Sequence, residues 1–513
     1  MTLLIKGIFR RLILYSVIFC GISGIIYSGR AEAARLKAGV AKVDITNTAA
    51  YPVVNDSLYV KALVLENGPV RAAIITVDAV AIGGIGSIGD DYLEKVRSEI
   101  ERDLKISGKN ILVNASHLHG AGYNVCPDIA ERTVKAVKAA VKNMVPVRTG
   151  VGRGYEDRIT ENRRFKLKNG KEADIRHAYP MPPDEEVAGL SPEDYEIGIL
   201  RLDKMNGETL AVVYNFAGHP YQGVPNQGAT ADYPGFASKI IEDNLSEGTI
   251  ALFVQGFGGD ISTVLYKDVN NPRDAEVLGN MLGISAMEAL KKITTTDNGD
   301  LKVINEVIQL PRRTDFQERI DPMQAEVDRL LKSLRGTSLN FKTFLPLYIK
   351  YNLFEEYPSY YSHRYLHEKS LGRSDLEKLD AENRRNIDKY LRNICAMDKL
   401  SSLQANISLL EMHRKFNEEA GEPTVDVEIQ VVKIGDFVMV TFPGEVSVEV
   451  GLNIKKMSPY KYTFPAGFTN GYIYYAPTVE QYNGGVQEDC DCFIGPEWQA
   501  LYEKKISEIL NSL

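Results

Sequence analysis

Seven histidines occur in the 513-residue chain, and two of them stand one residue apart as His117-Leu118-His119, directly after the apolar run 111–113. In an extended segment, residues two apart face the same side, so both imidazoles can reach one point beyond a strand's end. Imidazole binds metals and carries protons near neutral pH. Alone, such a pair fits ordinary surface or core histidine equally well. His219 follows the apolar run 212–216 in Gly218-His219-Pro220, and Glu445 follows another strand-like run in Pro443-Gly444-Glu445. Ligands of open α/β sheets gather beyond the carboxyl ends of strands. Two imidazoles and a carboxylate delivered there are the ligand types of a catalytic zinc that keeps one position open. A satisfied core histidine at His219 and a first-turn acid before a helix at 446–454 are the bland alternatives.

Two further segments bear on chemistry. Gln255-Gly256-Phe257-Gly258-Gly259-Asp260-Ile261-Ser262 follows an apolar strand, and its glycines let backbone N–H groups or the Ser262 hydroxyl approach a ligand closely. Asn470-Gly471-Tyr472-Ile473-Tyr474-Tyr475 supplies phenols that can ligate a metal or donate to an oxyanion. A plain tight turn and a stacked tyrosine strand are the corresponding structural readings.

The elements that must position these residues read as α/β. Strand-like runs at 70–80, 111–113, 209–216 and 250–255 alternate with helical spacing at 92–104, after Pro127-Asp128, and at 275–290. From 313 to 424 the texture becomes charged and helical, which we read as a helical insertion dividing the catalytic α/β body into 34–312 and 425–513. Inside it Phe341, Phe344, Tyr348, Tyr351, Phe354, Tyr357, Tyr360, Tyr361 and Tyr365 crowd together. They are read as packing the insertion onto the body; a cover over the site for an apolar chain is the sharper alternative. Strand character resumes at 425–432, turns at Gly435-Asp436 and returns through 437–441 as a hairpin. The fold expected is a mixed β-sheet body flanked by helices, with the site at strand carboxyl ends.

Composition narrows the function. With 44% hydrophobic and 25% charged residues the chain is of ordinary globular type. Its net charge of -8 argues against a surface that neutralises phosphates, so no nucleic-acid partner is expected. Lys6, Arg10 and Arg11 precede an apolar run at 12–27, followed by Ala31-Glu32-Ala33. That pattern predicts a signal peptide over 1–33 and export to the periplasm or medium, a retained membrane anchor being the alternative. Cys126, Cys395, Cys490 and Cys492 then remain. Their even count permits two disulfides, yet a structural or partly reduced state is preferred.

The order and company of the motifs resemble the neutral/alkaline non-lysosomal ceramidase family. The likeness runs over 36–485, through Lys37 to Thr46, Ser116 to His119, Gly218 to Pro220, Gly259 to Ser262, Pro443 to Glu445, and Asn470 to Tyr475. It implies a zinc-dependent hydrolase that cleaves the N-acyl amide of ceramide-like lipids with water activated at the metal. By the resemblance His117, His219, Glu445 and Tyr475 are the zinc ligands, and Tyr475 is also among the groups that stabilise the oxyanion. By the same resemblance His119 is the histidine beside the ligands that acts in the transition state, and Arg163 sits near the scissile amide. In the hydrolysis so expected, Tyr475, His119 or Arg163 stabilises the oxyanion, and His119 protonates the leaving amine. Ser262 positions the carbonyl or, as the weaker alternative, acts as nucleophile. The partner implied is a lipid-like N-acyl substrate, which leaves room for peripheral membrane contact. The chain departs from the family at Gly120-Ala121-Gly122, where Ser-Gly-Pro is usual, and has no room after Tyr475 for an immunoglobulin-like domain. The altered loop favours a second reading, a zinc hydrolase of a non-sphingoid amide or ester. A non-catalytic lipid- or glycan-binding protein of the same fold is the reading from another class.

Overall fold

The computed structural model describes residues 35–174, 182–264, 273–354, 356, 358, 362–484 and 486–513. The expected leader over 1–33 lies outside them, as do Tyr357, Tyr360 and Tyr361.

Three sheet walls, each backed by helices, enclose one apolar centre. The first wall comprises β1 (Lys37–Asp44), β2 (Tyr59–Asn67), β3 (Val70–Val77) and β4 (Ile111–Ala115), with α1 (Tyr92–Leu104) and α2 (Ile129–Lys142). The second begins with β5 (Val145–Tyr155), continues through four short strands, β6 (Thr160–Asn162), β7 (Arg164–Leu167), β8 (Glu172–Asp174) and β9 (Val187–Leu190), and adds β10 (Glu196–Lys204), β11 (Thr209–Phe216), α3 (Asp232–Asp243), β12 (Ile250–Gln255), β13 (Ile261–Thr263) and α4 (Ala275–Leu290). Strands β12-β11-β10-β5-β1-β2-β3-β4 form one continuous ladder, joined in the middle by only two residue pairs between β1 and β5. At this thin joint the ladder folds, so that β12 packs across β1, β3 and β4.

The third wall starts at β14 (Leu301–Pro311) and is then interrupted by α5 (Phe316–Ser333), α6 (Phe341–Leu353), α7 (His363–Ser370) and the 46-residue α8 (Asp375–Ala420). It resumes with β15 (Thr424–Ile434), β16 (Phe437–Thr441), β17 (Glu445–Val446), α9 (Val448–Met457), β18 (Tyr462–Ala466), β19 (Tyr475–Ala476), α10 (Gln487–Cys490) and α11 (Trp498–Ser512). Its main sheet has the order β14-β15-β16-β18. The expected hairpin is present, with Ile434 paired to Phe437 across Gly435 and Asp436, and Gly435 at φ 58°.

Side-chain alternation explains why the walls assemble. In β2, Val60, Ala62 and Val64 face α1 and α2, while Leu63 and Leu65 face the centre. In β11, Val212, Tyr214 and Phe216 meet α3 and α4, while Ala211 and Val213 face inward. In β15, Ile429 and Val431 meet α9 and α11, and Val432 and Ile434 face inward. Strands buried on both faces read as nearly continuous apolar runs, which is the pattern the sequence carries.

The main ladder of each wall also contains one parallel pair joined through a helix: β3 to β4 through α1, β11 to β12 through α3, and β16 to β18 through α9. These three crossovers set the direction in which the site loops emerge.

The helices interrupting the third wall pack on α8. Helix α5 uses Phe316, Ile320, Val327 and Leu330 against Leu400, Ile407 and Leu410. Further toward the start of α8, Phe344 and Tyr351 pack on Ile387, and the Phe344 ring stacks on Tyr390 at 4.5 Å. The Tyr351 and Tyr365 hydroxyls each donate to Asp380 at 2.6 Å. Of the described rings, Phe344, Tyr351 and Tyr365 therefore pack within the insertion rather than between it and the body, while Phe341, Tyr348 and Phe354 stay exposed. All four described cysteines are free, so the two disulfides their number permits are not formed. Among the described residues no helix is long and apolar enough to cross a membrane.

Candidate metal centre

The loops that follow the parallel pairs bring the histidines and Glu445 to one point. His117 and His119 follow β4, His219 follows β11, and Glu445 follows β16. Buried Asn114 ties these loops together. Its amide N–H groups donate to the Gly467 carbonyl at 2.6 Å and the Thr469 hydroxyl at 2.9 Å, and its carbonyl accepts from the Gln255 N–H at 3.0 Å. The three imidazoles offer ligand atoms that lie within 4.8 Å of one another. A buried cluster of His117, His119 and His219 can thus hold a metal ion.

The ring orientations are fixed by the backbone. Nδ1–H of His117 donates to the Val80 carbonyl, and Nδ1–H of His219 donates to the Ile261 carbonyl, both at 2.8 Å. A carbonyl only accepts, so each ring keeps its proton on Nδ1 and turns an Nε2 lone pair toward the shared point. The Oε2 atom of Glu445 lies 3.2 Å from Nε2 of His219 and 3.6 Å from Nε2 of His117. His119 Nε2 is 3.2 Å from His117 Nε2. Acceptor lone pairs gathered this closely need a cation or a proton between them, and two nitrogens and a carboxylate oxygen suit a divalent ion such as zinc.

Electrostatics agree with this geometry. Burial pushes the His117 and His219 imidazoles down to about 4, so both are neutral at pH 7, the form in which an imidazole can bind a metal. Burial works against the Glu445 carboxylate, but His117, His219 and the Tyr472 hydroxyl outweigh it and hold its pKa well below the usual range. Tyr472 donates to Oε1 of Glu445 at 2.5 Å, leaving Oε2 to face the imidazoles.

Strain marks the same place. His117, Phe468, Asn470 and Tyr474 all have positive φ, between 51° and 61°. Phe468 stacks on His117 at 4.0 Å, and the Asn470 side chain accepts from the Val113 N–H and donates to Glu428 and Gln430. Gly259 lies against this floor: a Cβ there would come within 2.6 Å of the Glu445 carbonyl oxygen.

The other expected site residues surround the cluster. Tyr475 pairs with Glu445 between β17 and β19, and its hydroxyl accepts from Arg163 Nη2 at 3.1 Å. Arg163 also donates from Nε to Glu488 at 2.7 Å and from Nη2 to the Gly259 carbonyl. Ser262 accepts from the Tyr221 hydroxyl, whose ring lies 5.5 Å from His119 and 5.4 Å from His219. Beside His119 opens a cleft of about 580 Å³, lined among others by Tyr51, Gly120, Ala121, Tyr221 and Arg273. None of the described rings of 341–365 lines it.

Sequence reasoning did not single out Tyr472, Tyr221, Glu488 or Asn114. The Asn-x-Tyr-x-x-Tyr spacing contained Tyr472 but drew attention to the second tyrosine. Glu488 gave no local signal, because it acts on an arginine more than 300 positions earlier.

No family model matches the sequence, and no curated protein matches it. Among solved structures, the fold is similar to a neutral ceramidase from Pseudomonas aeruginosa, with a TM-score of 0.58 and 17% identity over 93% of this chain and 74% of the other. A ceramidase complexed with C2 gives the same TM-score and identity over 93% and 75%. At this identity the likeness establishes the fold. The α/β class, with a mixed sheet body flanked by helices, is thereby supported from two directions.

Proposed function

We propose that the chain is an exported zinc-dependent hydrolase that cleaves the N-acyl amide bond of ceramide-like lipids. The observation that carries this reading is the convergence of two carbonyl-anchored imidazoles and a buried carboxylate beyond three parallel strand pairs. The two ceramidase structures of similar fold support the choice of substrate class.

His117, His219 and Glu445 would hold zinc through Nε2, Nε2 and Oε2, with the Tyr475 hydroxyl as the fourth candidate. Zinc in such a site acts as a Lewis acid and lowers the pKa of water toward ~7. The chain's own groups then divide the remaining work. Arg163, held by Glu488 and bonded to the Tyr475 hydroxyl, presents positive charge where an acyl oxygen becomes negative. His119 is partly exposed on the cleft and is suited to hand a proton to the leaving amine. Ser262, tethered to Tyr221, orients the carbonyl. The Phe468 ring, stacked on His117, keeps water from the protein side of the cluster.

A second reading, a non-sphingoid amide or ester as substrate, is favoured by Gly120 and Ala121, which line the cleft beside His119. One experiment tests both: metal analysis of the purified protein, then incubation with N-acyl sphingoid lipids, other N-acyl amides and esters. Stoichiometric zinc with fatty acid released from the sphingoid amides is expected. Release from the other substrates alone selects the second reading. Zinc-free protein, or hydrolysis unaffected by chelation, overturns the metal mechanism.

A further inference from the structure

Helix α8 sends one polar side chain out of the insertion and against the segment that supports the metal centre. His413, in the last turns of the helix, is 1% exposed. A buried imidazole needs partners for its polar atoms, and its Nε2–H donates to Asp491 at 2.7 Å. Its ring meets Tyr474 edge to face at 4.6 Å. Asp491 directly follows α10, whose Cys490 is buried with Leu400, Ile407 and Leu410 of α8.

The two residues that His413 touches hold both candidate ligands of the third wall. The Asp491 carbonyl accepts from the Tyr475 N–H at 3.2 Å, and the Tyr474 carbonyl accepts from the Glu445 N–H at 2.9 Å. Tyr474 is strained as well. Its φ of 61° lies in the left-handed region, which a bulky residue occupies only where its surroundings hold it there. The Tyr472 ring lies 5.1 Å from it, and Gly444 leaves the room its carbonyl needs: a Cβ there would come within 2.8 Å of that oxygen. His413 supplies the remaining constraint, and it is the one that comes from the insertion.

We propose that His413 is a positioning residue of the metal centre: through its bond to Asp491 and its ring on Tyr474 it keeps Glu445 and Tyr475 in the arrangement that binds the ion. The proposal rests on the metal reading above and gives the helical insertion a part in it. A side chain that only filled space would serve equally well without a donor, and this separates the two roles.

Two readouts on the full-length protein test it. One is amide hydrogen exchange, followed by mass spectrometry without added zinc, at the Glu445 and Tyr475 amides. The other is zinc affinity, by competition with an indicator. In His413→Ala both amides should exchange at least about tenfold faster, because local opening is no longer opposed by the bond and the ring. Zinc affinity should fall about 10- to 100-fold, the range for a partner that orients a ligand. Phe344→Ala, which loosens the insertion far along α8 from His413, should change neither. His413→Gln places an amide N–H near the position of Nε2–H and should recover part of both losses. Where His413→Ala does not fold, His413→Phe, which fills the space and removes the donor, takes its place with the same expectations. Parent-like exchange or parent-like zinc affinity overturns the proposal, as do equal losses in Phe344→Ala or no recovery in His413→Gln. A parent protein that binds no zinc overturns the metal reading, and the two failures are told apart because exchange is followed without the metal.

Discussion

His119 is the residue whose role the geometry leaves most open to measurement. It belongs to the three-histidine cluster, yet unlike His117 and His219 it is partly exposed and faces the cleft. We expect His219→Ala to lose zinc and activity together. We expect His119→Ala to keep most of its zinc while activity falls about 10²- to 10⁴-fold, the usual weight of a positioned proton donor. Zinc measured on both purified variants decides this, and equal loss makes His119 a ligand. Tyr472 gives a finer test. Its hydroxyl fixes which Glu445 oxygen faces the imidazoles, while its ring packs beside Tyr474 at 5.1 Å. Tyr472→Phe keeps the ring and removes only the donor. Competition with a zinc indicator should show affinity reduced about 10- to 100-fold, the range for a partner that orients a ligand. An unchanged affinity would mean that the backbone alone orients Glu445.

At the scale of elements, the position of the aromatic helices decides between a lid and packing. His413, near the end of α8, donates from Nε2 to Asp491 at 2.7 Å and has its ring 4.6 Å from Tyr474, close to the site. Ile387, on which Phe344 and Tyr351 pack, lies 26 residues earlier on the same helix, about 39 Å along a straight axis. The inner rings of α6 therefore do not reach a substrate in the cleft. Phe344→Ala should lower the stability of the helical region by about 3 kcal/mol, seen as an earlier unfolding step. The ratio of KM values for long-chain and short-chain N-acyl substrates should stay the same; a selective rise for the long chain would restore the lid. The same comparison shows what the sequence could reveal. Strands β11, β12 and β16 and helices α1 and α4 were legible because their apolar spacing is local and their ends carry glycine or proline turns. His117, His219 and Glu445 were legible because each stands just past such an end. The inward-packing Phe344 and Tyr351 of α6 could not be separated from the exposed Phe341, Leu345 and Leu353, since both sets are apolar and the chain does not say which side meets α8. Asn114 and Glu488 were hidden for another reason: their partners, from Gln255 to Thr469 and at Arg163, are joined to them only after the walls assemble.

For the molecule as a whole, the centre is a joint between the three walls. His117 comes from the first wall, His219 from the second and Glu445 from the third, so no single wall carries the whole set of candidate ligands. The ladder between the first two walls is thin, with two residue pairs between β1 and β5, and the third wall meets them through the shared apolar centre and through bonds such as Asn114 to Gly467 and Arg163 to Glu488. A metal that needs all three walls binds the native state and not the separated ones, so it stabilises by mass action. At free zinc one hundred times its dissociation constant the gain is about 2.7 kcal/mol. Calorimetry should therefore show Tm rising with zinc concentration in the parent and falling on chelation. His219→Ala should be insensitive to both, because it removes the second wall's contribution while the other two remain. Tyr472→Phe should respond along the same curve displaced to higher zinc, since it weakens the ligand without deleting it. A Tm in the parent that ignores zinc over that range would show that the three walls meet without a shared ion, and the hydrolytic reading would lose its foundation.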